Sequence, residues 1–395
     1  MNNDRKAGRA REDFLVFGAP DIREDEINEV VDSLRSRWLG TGPKVARFES
    51  DFAAYKNVDA ACVAAVSSCT AALHLCMIAA GIGPGDEVIT TPLTFCASVN
   101  AIIHSGATPV LADIDPGTMN IDPELIAAAV TPRTRAILPV HFAGRPCAMD
   151  AIMDIAGRNS LKVIEDCAHA IETEYRGGKA GTLGDFGCFS FYVTKNVVTG
   201  EGGMVVSRHR EDSDKIRVLA LHGMTKDAWK RFSDSGFRHY RVIECGFKYN
   251  MMDLQAAIGI HQLRRVEQNL ARRREIWASY QSAFSGIDNV ATPADPEPGT
   301  RHACHLYTLR VDVAGNGGYR DAFVRNMTAR NIGVGIHYLS IPEHPYYRDK
   351  YGWRPENYPN AMRIGRQTVS LPLSSSLTDG DVEDVIEAVM SSLGE

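Results

Sequence analysis

The stretch "FGCFSFYVTKNVVTGEGGM", residues 186–204, places Lys195 between an apolar run and three glycines. The aromatic and β-branched residues before the lysine predict a buried strand over 186–192, and Gly200-Glu201-Gly202-Gly203 predicts a turn. Glu201 is the nearest carboxylate along this stretch. Desolvation at such a place would lower the pKa of the lysine and free its amine to attack a carbonyl carbon. An ordinary solvated loop lysine is the alternative.

Six further apolar runs lie between residue 60 and about residue 207, and they alternate with helix-like segments. They are "AACVAAVS" (60–67), "EVITTPLTF" (87–95), "TPVLADID" (108–115), "RAILPVHFAG" (135–144), "LKVIEDCAHA" (161–170) and "GGMVVS" (202–207). Near-continuous apolar strands of this kind predict an α/β fold whose mostly parallel sheet is covered by helices on both faces. In such a fold, ligands bind at the carboxyl ends of the strands.

The chain has 395 residues, a length that favours two domains. We predict a disordered N-terminal tail over 1–13, a large domain over 14–265 and a small C-terminal α/β domain over 266–395, with 291–303 as the best linker. In the large domain we also predict a helix within 23–42 with Ile27, Val30, Val31 and Leu34 on its apolar face, and a loop over 223–246. A helical stretch follows over 253–284, with Leu254, Ile258, Val266 and Leu270 as part of its apolar face. In the small domain we predict strands at 305–313 and 333–338, a helix at 319–331 and a last helix capped by Thr378.

Composition excludes several classes of function. A net charge of −6 argues against general binding to nucleic acid or to anionic membranes, and no apolar run is long enough to span a bilayer. The nine cysteines are scattered singly without a C-x-x-C pair, which argues against a metal site and fits a reducing cytoplasm. The basic opening over 1–11 lacks an apolar core, so we expect a frayed tail there and not a signal peptide.

Two features after the first strands point to an anion and to a flat ligand. "SSCTAALHLCMIAAG" (67–81) passes from a strand into a helix through small polar residues, so its free N–H groups and the Thr70 hydroxyl could bind an anion. Simple capping by Ser68 or Thr70 is the favoured alternative for this feature alone. Phe95 stands just past a strand end, where an aromatic residue either joins the core or covers a planar ligand.

Asp166 ends a buried strand in "VIEDCAHA" (163–170), directly after a second acid. Two adjacent acids are costly there unless they are partnered, and a loop-capping aspartate is an equal alternative to a functional one. Taken together, the features match pyridoxal 5'-phosphate, which needs an amine for its aldehyde, an acid for its ring nitrogen, an aromatic side chain for its face and donors for its phosphate. In that order these groups are Lys195, Asp166, Phe95, and the pair Thr70 with Ser190.

The chain resembles the nucleotide-sugar aminotransferases of the DegT/DnrJ/StrS group over roughly residues 14 to 393. The resemblance rests on the motifs "WLGTGPKVARFE", "SSCTAALHL", "DEVITTPLTFCAS", "VIEDCAHA", "SFYVTKNVVTGEGGM", "GFKYNMMDLQAAIG" and "SLPL". It implies the architecture of fold-type I pyridoxal-phosphate enzymes: a mostly parallel seven-stranded central sheet sandwiched by helices, plus a smaller C-terminal α/β domain.

The resemblance also implies roles for single residues. Lys195 would form a Schiff base with the cofactor and then carry a proton between cofactor and substrate carbons, while Asp166 would pair with the pyridinium and Phe95 would stack on the ring. The other residues expected to bind the cofactor are Ser190, Thr70, Cys69, Ala71 and His169, together with Asn250 from the neighbouring subunit of a homodimer. The residues expected to contact substrate are Thr41, Tyr192, Lys248 and His337, and Lys226, Trp229, Lys230 and Arg231 are candidate nucleotide contacts in a loop that is equally well explained as solvated.

The predicted function is amino transfer from glutamate to the keto-sugar of a nucleotide-linked sugar, through a ping-pong mechanism that alternates aldimine and pyridoxamine forms of the cofactor. The resemblance favours C4 amination of a UDP- or GDP-linked 4-keto sugar, although C3-directed relatives share nearly all the motifs. A pyridoxal-phosphate-dependent sugar dehydratase and a non-catalytic cofactor-binding regulator are the alternatives. The presence of Lys195 counts against both. The pathway, surface glycan or secondary metabolite, stays open.

Overall fold

The computed structural model describes residues 11–225, 240–312, 315 and 318–394. The α-helices within these ranges are α1 (Glu24–Ser36), α2 (Pro43–Lys56), α3 (Cys69–Ala79), α4 (Cys96–His104), α5 (Pro123–Ala129), α6 (Met149–Asn159), α7 (Arg210–Ala220), α8 (Asp253–Arg264), α9 (Val266–Phe284), α10 (Gly318–Ala329), α11 (Pro345–Tyr351), α12 (Pro359–Gln367) and α13 (Asp379–Leu393). The strands are β1 (Val63–Val66), β2 (Glu87–Thr90), β3 (Thr108–Leu111), β4 (Thr134–Leu138), β5 (Lys162–Asp166), β6 (Glu174–Tyr175), β7 (Gly178–Lys179), β8 (Phe186–Ser190), β9 (Gly203–Ser207), β10 (Val290–Ala291), β11 (Thr300–Arg301), β12 (Tyr307–Val311) and β13 (Thr368–Leu371).

The seven strands predicted between residues 60 and 207 form one sheet, in the order β1-β9-β8-β5-β4-β2-β3. Neighbours from β3 to β8 run parallel, and β9 runs antiparallel to both β8 and β1. The prediction of a mostly parallel seven-stranded sheet is therefore confirmed. The strand predicted over 186–192 ends at Ser190, two residues earlier than expected.

Helices cover both faces of this sheet, as the buried runs predicted. Side chains of β8 alternate between the faces: Phe186 and Cys188 pack in a core with α3 and α7, whereas Phe189 packs in a second core with α2 and α8. A third core joins β2, β4 and β5 to α5 and α6. None of the helices in the described ranges is long and apolar enough to cross a membrane.

A separate core forms near the C-terminal end of the chain. The antiparallel sheet β10-β12-β13 packs there with α9, α10 and α13, around Tyr280, Tyr307 and Phe323. The strand at 305–313, the helix at 319–331 and the last helix are thus present, and Thr378 accepts a capping bond from the Asp381 N–H at 3.1 Å. The division into domains at residue 265 stays a prediction.

Two segments differ from their predicted role at the edges of the domains. Residues 1–10 of the predicted tail lie outside the described residues, whereas Arg11 forms an ion pair with Asp381 at 2.8 Å. The predicted linker over 291–303 is packed: β11 pairs with β6, and Ala303 is buried. The proline- and acid-rich segment is therefore a connection whose last residues pair with β6 and pack in the interior, and it is not a free linker.

One predicted element is wrong, one is right in its extent but not in its buried face, and one lies mostly outside the described residues. Residues 333–338 form no strand: only Gly335 pairs with the free edge of β13, at Ser370, and the next residues leave that edge, so that His337 and Tyr338 line a cavity at the end of the large sheet. The helical stretch over 253–284 is two helices that meet at Arg265, and Leu254 and Ile258 are only half-buried. Small residues of α8 such as Ala256 and Ala257 take the buried face instead. Most of the loop predicted over 223–246, from 226 to 239, lies outside the described residues.

Candidate active site

A cavity of about 530 Å³ opens where β5 and β8 end and where α3 and α4 begin. This is the edge of the sheet at which ligands bind in α/β folds, and the volume suits a small-molecule site. The predicted site residues that line it are Lys195, Asp166, Phe95, Ser190, Thr70, Cys69, His169, Tyr192 and His337. The cavity thus collects side chains that are up to 268 positions apart in the chain, from Cys69 to His337.

Lys195 lies in the connection between β8 and β9, where its backbone N–H donates to the Tyr192 carbonyl at 2.9 Å. Its Nζ has no hydrogen-bond or ion-pair partner among the described residues, and Glu201, although it lines the same cavity, does not pair with it. Burial lowers the pKa of Lys195 to about 8, against the opposing influence of Cys69 and Asp166. A large fraction of the amine is therefore neutral at mildly alkaline pH.

The two adjacent acids at the end of β5 have different surroundings. Glu165 points away from the cavity and is fully satisfied: it accepts from the N–H groups of Gly181, Leu183 and Gly184, and it lies 2.9 Å from His141 Nε2. Its ligating oxygen lies near His141 and Cys167, but these bonds occupy its carboxylate, so the trio is a hydrogen-bonding cluster and not a free metal site. Glu165 is the structural acid of the pair.

Asp166 faces the cavity. Its Oδ2 accepts from Ser98 Oγ at 2.8 Å, and its Oδ1 accepts from the Ala168 N–H at 3.1 Å. Burial raises the pKa of Asp166, and both hydrogen bonds and the charge of Lys195 oppose that rise. The carboxylate is thereby available to a cationic group inside the cavity.

Ser98 is a site residue that the sequence prediction missed. It lies on the first turn of α4, and its hydroxyl lies 2.8 Å from that of Thr94, four residues earlier. The spacing of Thr94 and Ser98 in "TFCAS" places both on one face of the helix start, a local signal of a hydroxyl pair. Asp166, which accepts from the Ser98 hydroxyl, is 68 residues away from Ser98, so no local pattern could reveal this bond.

The start of α3 forms the opposite end of the cavity. Ser68 is the N-cap and accepts from the Ala71 N–H at 3.1 Å, so Ala71 spends its donor within the chain and does not line the cavity. The N–H groups of Cys69 and Thr70 have no acceptor in the described structure, and the Thr70 hydroxyl faces the cavity beside Ser190. Free donors at a helix start suit a phosphate.

Aromatic side chains form the wall between these two ends. Phe95 is 57% exposed, which is high for a phenylalanine and rules out the core position that was its alternative. Its ring centroid lies 6.0 Å from that of Tyr338, and His169 Nε2 lies 3.1 Å from the Tyr338 hydroxyl. An unpaired amine, a buried carboxylate, an uncovered aromatic face and free helix-start donors in one cavity fit the requirements of pyridoxal 5'-phosphate.

Three predicted residues lie elsewhere. Asn250 donates to Thr41 Oγ1 at 2.7 Å, and both residues line a different, largely apolar cavity of about 690 Å³. Lys248 is exposed and forms a bridge with Leu221 outside the Lys195 cavity. Within a single chain these side chains therefore do not join the site. The candidate nucleotide contacts Lys226, Trp229, Lys230 and Arg231 lie outside the described residues.

Comparison with known proteins gives consistent matches over nearly the whole chain. The model of the DegT/DnrJ/EryC1/StrS aminotransferase family matches residues 20–390. The spore coat polysaccharide biosynthesis protein SpsC of Bacillus subtilis (strain 168) is 51% identical over 380 residues, which are 96% of this chain and 97% of SpsC. Spr1654 from Streptococcus pneumoniae, solved in its PMP form, is 33% identical with a TM-score of 0.90, covering 96% of this chain and 99% of its own. The sugar aminotransferase CalS13 from Micromonospora echinospora is 29% identical with a TM-score of 0.84, covering 95% and 99%.

Proposed function

The chain belongs to the DegT/DnrJ/EryC1/StrS aminotransferase family, and from this premise we propose that it uses pyridoxal 5'-phosphate to move an amino group from glutamate to a keto-sugar carried on a nucleotide. The favoured substrate is a UDP- or GDP-linked 4-keto sugar that is aminated at C4. The similarity to SpsC supports a role in polysaccharide synthesis, since that relative is named for it.

One observation carries the proposal: the Lys195 amine is withdrawn from solvent, has no counter-ion in the described structure and shares a cavity with Asp166. A buried charge without a partner is costly, so proteins retain one mainly where its chemistry is used. Here the lowered pKa of Lys195, about 8, favours both attack on an aldehyde and later proton transfer.

The chain's own residues divide the remaining tasks. The bound cofactor would supply a reactive aldehyde and a ring that accepts electrons. Asp166 would keep a proton on the ring nitrogen, and Ser98 and Ala168 hold its carboxylate in position for this. Phe95 would cover the ring and exclude water. Lys195 Nζ, when free, would accept a proton from the substrate carbon and return it.

A homodimer is part of the proposal. Ile27, Leu34, Trp38 and Leu39 on and after α1 are each between 41% and 54% exposed, which leaves an apolar surface on the single chain. Asn250 lies beside Trp38 in the apolar cavity. A partner subunit on this surface would cover it and could bring Asn250 to the phosphate end of the neighbouring site.

The covalent role of Lys195 can be tested directly. Protein reconstituted with pyridoxal 5'-phosphate and reduced with borohydride should carry the label on the peptide that contains Lys195. Lys195→Ala should bind the cofactor without covalent attachment and should transfer no amine. A label on another lysine, or full activity of this variant, would refute the assignment.

The reaction and its substrates need two further measurements. Glutamate alone should convert the reconstituted wild-type protein, with loss of the cofactor's aldehyde absorbance and formation of 2-oxoglutarate. A panel of UDP- and GDP-linked 3-keto and 4-keto sugars should then restore that absorbance with the true acceptor. Conversion by glutamate without any acceptor in the panel would retain the aminotransferase and reject the proposed sugar class.

A further inference from the structure

The hydrogen bonds around His169 fix which atom carries its proton. The Ala143 backbone N–H can only donate, and it does so to His169 Nδ1 at 3.3 Å. Nδ1 is therefore unprotonated, so a neutral His169 carries its hydrogen on Nε2. Nε2 lies 3.1 Å from the Tyr338 hydroxyl, which makes His169 the donor and the Tyr338 oxygen the acceptor of that bond.

The surroundings keep His169 neutral. It is buried, its ring lies 4.4 Å from that of His305, and the ammonium of Lys195 shares its cavity. Burial lowers the pKa of His169 well below its ordinary value, and the positive charge of Lys195 lowers it further. Burial and the charge of Lys195 lower the pKa of His305 as well. The Asn196 amide nitrogen donates to Glu172, so the Asn196 oxygen, 2.8 Å away, accepts from His305 Nδ1.

Tyr338 is thus left with an unused proton. A hydroxyl carries one donor and two acceptor sites, and His169 occupies an acceptor site. Burial raises the pKa of Tyr338 far above its usual range, so the phenol stays protonated. Its ring centroid lies 6.0 Å from that of Phe95 and 6.2 Å from that of Phe142, and the residue lines the Lys195 cavity.

We infer that Tyr338, oriented by the hydrogen bonds from Ala143 through His169, donates a hydrogen bond from its hydroxyl to an oxygen of the keto-sugar. This inference rests on the proposed function and adds a sugar-binding residue to it. Lys195 is the only lysine or arginine among the described residues that line the cavity. A carboxylate usually meets a guanidinium or ammonium, whereas hydroxyl groups and imidazoles suit an uncharged polyol. The sugar therefore matches this wall better than glutamate does.

The test compares Tyr338→Phe, which keeps the ring and removes the proton, with Tyr280→Phe as a matched control. Tyr280 is also buried and donates to the Pro372 carbonyl at 2.9 Å, but it belongs to the C-terminal core. The probe is the keto-sugar nucleotide that the wild-type enzyme accepts, and its dissociation constant is measured by calorimetry on protein loaded with pyridoxal 5'-phosphate in the absence of glutamate, when no amino group is available for transfer. We expect Tyr338→Phe to raise this constant by about 10- to 100-fold and Tyr280→Phe to leave it unchanged.

Two other measurements show whether the oxygen that accepts from Tyr338 belongs to the sugar, to glutamate or to the cofactor. The KM for glutamate and the dissociation constant of pyridoxal 5'-phosphate should change less than threefold in Tyr338→Phe. A change confined to either of them would assign the proton to glutamate or to the cofactor and overturn the inference. Unchanged sugar affinity would overturn it as well, while glutamate conversion by the wild type would still support the proposed function. No glutamate conversion by the wild type would reject both.

Substitutions of His169 test the direction of the two hydrogen bonds that run from Ala143 to His169 and from His169 to Tyr338, here called the relay. His169→Gln can still accept from Ala143 and donate to Tyr338, so sugar affinity should stay within about threefold of the wild type. His169→Glu offers Tyr338 only an acceptor and should weaken sugar binding as much as Tyr338→Phe does. Equal effects of Gln and Glu, in variants with native circular dichroism, would refute the relay. If His169→Glu fails to fold, Tyr338→Phe decides the question alone.

Discussion

Two lysines of this chain share a pKa and differ in what surrounds their amines. Burial lowers the pKa to about 8 for both Lys195 and Lys56. Lys56 is 2% exposed and donates to the carbonyls of Ile171 at 2.9 Å and Ala180 at 2.8 Å, so its amine is sealed. Lys195 opens into a cavity with no partner in the described structure. The difference between a structural and a reactive lysine lies in access and not in basicity.

Acylation of the cofactor-free protein with acetic anhydride should distinguish these lysines. Because the pKa of Lys195 is about 8, below its usual 10.5, its neutral fraction rises through pH 8 and its labelling should have a midpoint there. Lys56 should stay unlabelled in the native protein at every pH. Lys350, which is exposed and whose pKa is raised by the Tyr346 hydroxyl, should label with a midpoint above 10.5. Peptide mass spectrometry measures all three.

Equal labelling of Lys195 and Lys350 across this pH range would contradict the assignment, because it would mean that the Lys195 amine is an ordinary solvated one. Labelling of Lys56 in unfolded protein provides the control for detection. The same comparison, repeated with pyridoxal 5'-phosphate bound, should protect Lys195 alone.

At the scale of elements, β5 is held by its structural acid. Glu165 is 0% exposed and joins the end of β5 to the segment before β8 through three backbone N–H groups, and to β4's following residues through His141. Burial alone would raise the pKa of Glu165, but the bonds from His141, Gly184 and Gly181 outweigh it and lower the pKa. The carboxylate fixes the edge of the sheet on which Asp166 stands.

Glu165→Gln should therefore destabilise the fold by roughly 3 kcal/mol or more, since a donor would replace an acceptor that faces three N–H groups. Thermal unfolding of the cofactor-free protein measures the effect, with Glu387→Gln, an exposed change on α13, as the neutral control. The pKa of Glu165 is lower in the folded state than its usual 4.5. The contribution of the Glu165 carboxylate to the free energy of unfolding is thus complete above pH 4.5, and it is lost as the pH falls through the pKa of Glu165 in the folded protein.

The difference between wild type and Glu165→Gln should accordingly be constant from pH 7 to about pH 5 and shrink in more acidic solution. A loss of stability no greater than that of Glu387→Gln would show that the three N–H groups find other acceptors. It would also remove the argument that Glu165 positions the end of β5.

The accuracy of prediction from the sequence follows the range of the interactions. The seven strands of the large sheet were predicted because each is an apolar run that both faces bury, a property written into consecutive residues. The run over 333–338 has similar composition, but it meets the free edge of β13 only at the pair Gly335 and Ser370, which are 35 residues apart, and its His337 and Tyr338 line the Lys195 cavity instead. Strand pairing of this kind is not visible locally.

The site shows the same limit. Lys195, Asp166 and Phe95 were predicted because each follows a strand, and parallel strands end at one edge. Ser98 was not predicted, because only its bond to the distant Asp166 identifies it, and the bond between Tyr338 and His169 joins distant positions in the same way. Ala71 was expected to bind phosphate, but a backbone donor can serve only one strong acceptor, and Ser68 is already there. Which of the backbone N–H groups at the start of α3 stays free depends on how the N-cap residue Ser68 is oriented.

For the whole molecule, the exposed side of α1 is the feature that a single chain does not explain. The apolar face predicted for α1 is not its buried face: Ile27 is 46% exposed and Leu34 is 54% exposed, while Glu26 and Ser33 are buried against the rest of the chain. An apolar stripe on the solvent side of a helix indicates a protein partner. The proposed partner is a second copy, which would place Asn250 at the neighbouring site.

Subunit mixing tests this arrangement. Lys195→Ala and Asn250→Asp should each be nearly inactive, the first without its amine and the second with a negative charge at the phosphate. In a mixed dimer, one site would combine the intact Lys195 of one subunit with the intact Asn250 of the other. A statistical mixture contains such dimers as half of the total, each with one working site, so about a quarter of wild-type activity should return.

The control for that experiment is a mixture of Lys195→Ala with Asp166→Asn. Lys195 and Asp166 line one cavity of the same chain, so every site of their mixed dimer carries one defect and no activity should return. Two affinity tags isolate the mixed dimers and ensure that subunits have exchanged. Recovery in both mixtures would mean that Lys195 and Asp166 come from different subunits. Recovery in neither would place Asn250 in the site of its own chain, and the apolar surface of α1 would then need another explanation than a shared active site.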